Sequence, residues 1–337
     1  MVQNPDNVRE TVNLGIIGLG HIADAQLGAL SKLRNLFRLV AAADRDPSVS
    51  AKLPLDAPDI EFSTNHDELI ASPRIRAVLV STPLRTHYEV AAAALKHGKH
   101  VLLEKPATQD MQKFDELVGL ARNAGARFVV AFHAAFAMDL LWFLQDYNWK
   151  DAHGDIQGIR CSFSDPYIEN PNAISRFSSL GGSWTDSGVN ALSVVAHLID
   201  PGSIRIEEAL LTRLPDYRGE VQGTLFFTFP TIQGARAGKG CIDTNWCLGQ
   251  NRKRTYLYFN DPNVEVVLDH SAQKVWLVDR DGKEKILQQF EGDRMINHYL
   301  GVFQHFYSCV SKNRDNLEVA RPIHRLLFAA AQGILRP

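Results

Sequence analysis

Five short, continuously apolar runs separated by helical patterns set the architecture of the first 132 residues. They read "VNLGIIGLG" (12–20), "FRLVAAAD" (37–44), "RAVLVST" (76–82), "HVLLE" (100–104) and "RFVVAF" (127–132). Apolar spacing between them predicts helices over 21–34, 65–71, 86–97 and 110–124. The last two stop at Gly98 and Gly125, the residue type that ends a helix in a left-handed turn. A strand that is apolar on both faces needs cover on both, which a parallel sheet wound with helices on each side provides. The expected fold class is α/β, opening with a doubly wound parallel sheet of the Rossmann type. Such sheets bind ligands beyond the carboxyl ends of their strands.

Those strand ends carry chemistry. "GLGHIA" (18–23) follows the first strand and opens the first helix. Gly18 gives the tight turn, Gly20 lets the backbone approach a pyrophosphate, and Ala23 is small enough for close helix–strand packing. His21 and Ile22 complete the loop, and the helix N-terminus offers N–H groups to an anion. The second strand ends in Asp44, which can accept hydrogen bonds from a ribose diol and would repel a 2′-phosphate. That points to NAD. Arg45 follows at once and can pair with a 2′-phosphate, so NADP stays open. At the third strand end, Ser81 and Thr82 can reach the nicotinamide ribose and Pro83 closes the strand. His87 starts the next helix beside the cofactor and is a further candidate contact, with a structural role as its alternative. The fourth strand ends at Glu104 and Lys105, both candidate cofactor contacts, with the lysine at the mouth of the cleft, and the bond before Pro106 is open to either isomer.

Composition removes several classes of function. A chain of 337 residues suggests two domains, and 45% hydrophobic with 22% charged residues is ordinary for a protein that buries a core. The net charge is −2 with no dense basic stretch, which argues against nucleic acid and anionic membranes as partners. Four scattered cysteines, Cys161, Cys241, Cys247 and Cys309, form no CxxC pair, so no metal site is expected and a cytoplasmic location is. The start, "MVQNPDNVRETVN", lacks the apolar core of a signal peptide, and residues 1–11 read as a flexible tail. The apolar run 129–144 is interrupted by His133 and Asp139 and is too short to span a bilayer comfortably. It reads as a buried strand running into a buried helix.

In "SWTDSGVNALSVVAHLID" (183–200), Val189, Leu192, Val195, Ala196 and Ile199 mark an apolar helix face. Asp186 and Asn190 stand four apart and project from one side of it. A helix cap at Thr185 or Asp186 would explain the acid. A site would explain both residues.

Three blocks, "GLGHIADAQLGAL", "STPLRTHYEVAAAALKHGKHVLLEKP" and "GGSWTDSGVNALSVVAHLID", together resemble the Gfo/Idh/MocA oxidoreductases, whose type members include glucose–fructose oxidoreductase and inositol dehydrogenase. The resemblance implies a second domain with an open, mainly antiparallel sheet, whose exposed face assembles a homo-oligomer, a dimer or tetramer. The period-two patterns from about residue 155 onward fit this, and two helices close the chain. The expected domains are 1–133, for the dinucleotide, and 134–337, for substrate and assembly, with the C-terminal helix packing back on the first.

The resemblance also implies that Lys105 lies near the nicotinamide and that the helix of the second domain brings an aspartate and, four residues later, a histidine base. Lys105 and Asp186 match, but Asn190 holds the histidine position, and an amide takes no proton at ordinary pH. The Asp-x-x-x-Asn variant is similar to the branch containing L-arabinose and D-galactose 1-dehydrogenases. An anomeric hydroxyl is more acidic than a simple alcohol, so a carboxylate or lysine can suffice as base. The expected catalytic residues are Lys105, Asp186 and Asn190, acting on a small-molecule sugar with NAD or NADP. His133, Trp184 and Trp246 are further candidates for sugar contact, each with a buried structural role as its alternative. His197 lies roughly 16 Å from Asp186 along the helix, too far to replace the base. Arg176, in the second domain, is a further candidate for approaching the cofactor. A noncatalytic sugar sensor, an NAD-dependent glycosidase and another polyol dehydrogenase remain as alternatives.

Overall fold

The computed structural model describes residues 10–54, 59–168, 178–214, 217, 219–231 and 236–333. The chain divides into two compact units. The first comprises Met1–Thr108, Gln112–Ala131 and Tyr299–Leu317; the second comprises Gln109–Met111, Phe132–His298 and Glu318–Pro337.

The first unit contains β1 (Val12–Ile17), β2 (Phe37–Ala43), β3 (Glu61–Ser63), β4 (Ala77–Val80), β5 (His100–Glu104) and β6 (Phe128–Ala131). Their order is β3-β2-β1-β4-β5-β6 and every pairing is parallel. The chain runs outward from β1 to β3 and then returns to β4 on the other side of β1. The carboxyl ends of β1 and β4 are therefore the switch point where such sheets bind ligands. Helices Ala23–Ser31, His66–Ala71, Leu84–Lys96 and Met111–Asn123 connect the strands, each close to its expected range. Gly98 and Gly125 adopt φ of +71° and +63°, as their role as stops requires. Only β3 lacked an apolar run, because this edge strand has no buried residue.

The first unit also claims Tyr299–Leu317, which the sequence reading had given to the second domain. Packing explains the difference. Phe37 lies 5.8 Å from Phe303, 6.1 Å from Phe306 and 5.8 Å from Tyr307, ring centre to ring centre. Phe303 and Phe306 are fully buried, worth about 2–3 kcal/mol each. The Asn316 side chain accepts from the Val130 amide at 3.0 Å and donates to its carbonyl at 2.8 Å, covering the open edge of β6. The last helix, Leu317–Ala331, belongs from Glu318 onward to the second unit, where the Leu327 carbonyl accepts from the Trp184 indole.

The second unit is built on β7 (Ile156–Ser164), β8 (Arg205–Arg213), β9 (Glu220–Phe229), β10 (Gly238–Asn245), β11 (Arg252–Phe259), β12 (Val264–Asp269), β13 (Lys274–Asp279) and β14 (Glu284–Gln289). The order is β14-β13-β12-β11-β7-β10-β9-β8. β7 and β10 pair in parallel and the other neighbours antiparallel, which matches the expected mainly antiparallel sheet. Period-two burial along β11 puts Lys253, Thr255, Leu257 and Phe259 inside. The helix Val189–Leu198 is buried at every position from Val189 to Val195.

Candidate active site

In the first unit, the glycine loop is fixed from three sides. Gly18 has φ of +95°, and a Cβ there would stand 2.5 Å from the Ser81 carbonyl oxygen, so no other residue fits. Its amide donates to the Ala43 carbonyl at 2.8 Å. The next amide, Leu19, donates to Asp44 Oδ2 at 2.7 Å, while Oδ1 accepts from Asp46. Asp44 thus links the loop to the end of β2 and keeps lone pairs for a diol. Around Gly20 a Cβ would meet nothing within 4 Å. The helix behind it, Ala23–Ser31, begins at Ile22 with no side-chain cap, leaving its first amides for an anion. His21 and Arg45 are exposed. Lys52 adds a positive charge, its ammonium donating to the Gly20 carbonyl at 2.7 Å.

At the end of β4, Ser81 accepts from Gln26 at 3.2 Å, and Thr82 Oγ1 is buried without a partner among the described residues. Pro83 precedes the helix at Leu84. His87 is buried, with Nδ1 2.9 Å from the Pro106 carbonyl and Nε2 2.7 Å from that of Thr82. Burial holds its pKa down, so the neutral ring donates to one carbonyl at a time. Both nitrogens face backbone carbonyls, so His87 pins the loop between the ends of β4 and β5. Glu104 is buried and Lys105 half-buried, and the Lys105–Pro106 bond is cis.

In the second unit, Asp186 does not sit on a regular helix. Residues Trp184–Gly188 form a π-helical turn that runs into Val189–Leu198. Such turns concentrate at functional sites. The capping explanation is not realised: no side chain caps this start, and Thr185 instead gives both its amide and its hydroxyl to Glu220 Oε1, each at 2.6 Å. Asp186 is 9% exposed. Asn190 donates Nδ2 to the Asp186 carbonyl at 3.2 Å, and its Oδ1 is buried without a partner among the described residues. The Asn190 amide therefore has an open acceptor.

Around Asp186 lie groups that the sequence reading missed. Lys253 is buried, with its ammonium 2.5 Å from Asp165 Oδ1 and 2.9 Å from Asn251 Oδ1, and it feels the Asp186 charge. Ser187 donates to Asp165 Oδ2 at 3.0 Å. The Tyr217 hydroxyl is buried and unpartnered among the described residues. Burial, with Glu220 and Asp186 nearby, pushes its pKa up to about 12. The strand alternation in "RKRTYLYF" put Lys253 on the same face as Thr255, Leu257 and Phe259, a signal that was available.

The remaining candidates are taken up by packing or by other partners. Trp184 and Trp246 are wholly buried, so neither offers a sugar a ring face. Their indoles donate to Leu327 at 3.0 Å and Ser187 at 3.3 Å, and both serve the core. His133 is buried, its Nδ1 3.3 Å from Nδ1 of His298. Nε2 of His298 is buried and without a partner among the described residues. His197 turns back to the Ser193 carbonyl at 2.9 Å and lines a surface cavity with Tyr147 and Trp149. Arg176 and residues 1–9 lie outside the described residues. No helix among the described residues is long and apolar enough to cross a membrane.

Comparison with known proteins agrees with the geometry of the first unit. Residues 12–132 match the model of an oxidoreductase family with an NAD-binding Rossmann fold. This segment matches the model of the Gfo/Idh/MocA oxidoreductase family. The chain is 37% identical over 113 residues to an uncharacterised oxidoreductase of Schizosaccharomyces pombe; the match spans 33% of this chain and 31% of that protein. Solved structures extend the likeness of fold to the rest. Levoglucosan dehydrogenase in complex with NADH superposes with a TM-score of 0.80 at 15% identity, covering 96% of each chain. The D-galactose-1-dehydrogenase of Rhizobium etli gives 0.74 at 23% identity, covering 96% of this chain and 95% of that one. The cradle fits the dinucleotide: a glycine where a Cβ would clash, open space at Gly20, an uncapped helix start and an acid at the end of β2.

Proposed function

We propose that this protein is an NAD(P)-dependent dehydrogenase that oxidises an aldose of galactose or arabinose type at C1 to the aldonolactone. The observation that carries the reading is the polar lining around Asp186. Asn190 Oδ1 and the Tyr217 hydroxyl are buried with no partner among the described residues, and Lys253 and Tyr217 both feel the Asp186 charge. Buried polar atoms are normally satisfied, so unpaired ones in one region call for a ligand rich in hydroxyls. The fold shared with sugar dehydrogenases and the Asp-x-x-x-Asn pattern support the same class.

The bound dinucleotide supplies the hydride acceptor. Gly18, Gly20 and the uncapped amides hold its pyrophosphate, and Asp44 holds its ribose diol. As hydride leaves C1, the proton of the anomeric hydroxyl passes to the Asp186 carboxylate and the C1–O1 bond becomes a carbonyl. Lys105 donates to O1 and holds the charge that develops there. Asn190 accepts from a sugar hydroxyl through Oδ1 and fixes orientation. No metal takes part. The free cysteines suit a reducing, cytoplasmic setting. Leu210, Phe226 and Ile286, exposed by 53%, 41% and 55%, mark the sheet face through which copies would assemble.

The test is a panel of free aldoses with NAD and with NADP, following absorbance of the reduced nicotinamide. One or more sugars should be oxidised, and Lys105→Ala should lower turnover on them by about 10²–10⁴. Near-normal turnover by that variant would overturn the role given to Lys105. Binding of sugar and nucleotide without any reduction would favour a sensor.

A further inference from the structure

A buried carboxylate directly precedes Lys105, and donors from distant parts of the first unit converge on it. Glu104 is 7% exposed at the end of β5. The hydroxyl of Tyr299, itself fully buried, donates to Oε1 at 2.5 Å. Gln26 donates Nε2 to the same oxygen at 3.0 Å, and the Lys105 amide donates to Oε2 at 3.2 Å. Burial pushes the Glu104 carboxyl up, while the Tyr299 hydroxyl and the Lys105 charge pull it back. Each donor therefore helps to keep a charge where an unsupported one would be expelled.

The array reaches further through Gln26. Its Nε2 is also 3.2 Å from Ser81 Oγ, and the Ser81 carbonyl is the group that Gly18 abuts. Gln26 lies on the helix that opens from the glycine loop and is itself fully buried. One side chain thus touches both the wall of the cofactor cradle and the carboxylate that grips the Lys105 main chain. A tie needed only for stability is met as well by apolar packing at this depth. A satisfied polar array instead specifies one geometry, because each distance and direction in it is fixed.

We propose that Gln26, Glu104 and Tyr299 are positioning residues that hold Lys105 in register with Ser81 and the dinucleotide cradle. The kinetic part of this inference rests on the dehydrogenase reading; the placement of Lys105 does not. Tyr299→Phe removes one hydroxyl at nearly constant volume, and Gln26→Leu is the second variant. Tyr307→Phe, on the same helix, is the control, since it loses only a surface bond to the Glu10 carbonyl at 3.1 Å. The full-length proteins are pulse-labelled with acetic anhydride and mapped by mass spectrometry, with exposed Lys96 as internal reference.

The labelling ratio of Lys105 to Lys96 should change several-fold in Tyr299→Phe and Gln26→Leu and stay put in Tyr307→Phe. With an oxidisable sugar, kcat should fall about tenfold or more while the KM for NAD stays near its original value. An unchanged labelling ratio in the folded Tyr299→Phe and Gln26→Leu proteins overturns the proposal. So does an unchanged kcat in both, where the unsubstituted protein is active. If the unsubstituted protein reduces no nicotinamide with any sugar, the dehydrogenase reading fails and labelling alone decides the positioning.

Discussion

The ammonium of Lys253 lies 2.5 Å from Oδ1 of Asp165, and both side chains are almost wholly removed from solvent. Burial pushes the Lys253 pKa down and the Asp165 charge opposes it. Removing one member of such a pair strands the other charge, so Lys253→Met should destabilise the protein by about 3–5 kcal/mol. The paired change Lys253→Met with Asp165→Leu should recover much of that loss. Chemical denaturation of both variants checks this; equal stability of the single variant and the original protein would show that the pair carries no such charge.

Acid should unfold the protein through buried histidines. His324 is fully buried, with Nδ1 2.7 Å from the Ala320 carbonyl, and burial lowers its pKa to about 4. His100 is lowered to about 4 as well, first by burial and then by Arg76 and Arg127. The sign follows from proton counting. Between the unfolded value near 6.5 and the folded value near 4, the unfolded chain binds more protons, so stability falls as pH falls. His324 alone accounts for about 3 kcal/mol across that window. His324→Phe should flatten the decline of melting temperature between neutral pH and pH ~5. An unchanged slope would mean that His324 does not titrate in this way.

The glycine loop gives a sharper test. In Gly18→Ala, the new methyl carbon would stand 2.5 Å from the Ser81 carbonyl oxygen at a φ of +95°. The loop must open to admit it, which should cost about 1–3 kcal/mol of stability and abolish measurable dinucleotide binding. Calorimetric titration with NADH reads the second effect, and undiminished binding would remove the loop from the cofactor site.

Assembly through the open sheet is tested on its outer face. Phe226 and Leu210 are 41% and 53% exposed on adjacent strands. Changing both to Glu should leave the fold intact, because neither supports the core, and should halve or quarter the mass seen by light scattering. A monomeric original protein would remove the premise.

What could be read in the sequence was local. The turn at Gly18, the acid ending β2 and the stops at Gly98 and Gly125 depend on neighbouring residues, and each stands where it was expected. What escaped was long-range. Tyr299 reaches Glu104 across 195 residues, and Asn316 reaches Val130 across 186. No periodicity announces such pairs. The π turn at Trp184–Gly188 escaped for a related reason: Gly188 and Gly223 leave room for the Trp184 indole, and that fit is tertiary. Both tryptophans looked like sugar platforms by residue type, but large aromatic area is also what a core takes first. Lys253 is the instructive miss, because strand alternation alone marked it as inward.

Asn190 offers the most direct probe of substrate contact. Its Nδ2 is held by the Asp186 carbonyl at 3.2 Å, which fixes the side chain and leaves the buried Oδ1 without a partner among the described residues. If that oxygen accepts from a sugar hydroxyl, Asn190→Ala loses one neutral hydrogen bond, about 1 kcal/mol, and frees the Asp186 carbonyl. The KM for the sugar should rise by about five- to tenfold, with the KM for NAD unchanged. Asn190→Asp replaces the donor by a second carboxylate facing the Asp186 carbonyl, and it should lower kcat as well, since like charges oppose ionisation of either acid. Asn190→His, by contrast, introduces a group able to take the proton and should keep substantial turnover. Unaltered sugar kinetics in Asn190→Ala would place the substrate away from this helix and remove Asp186 with it.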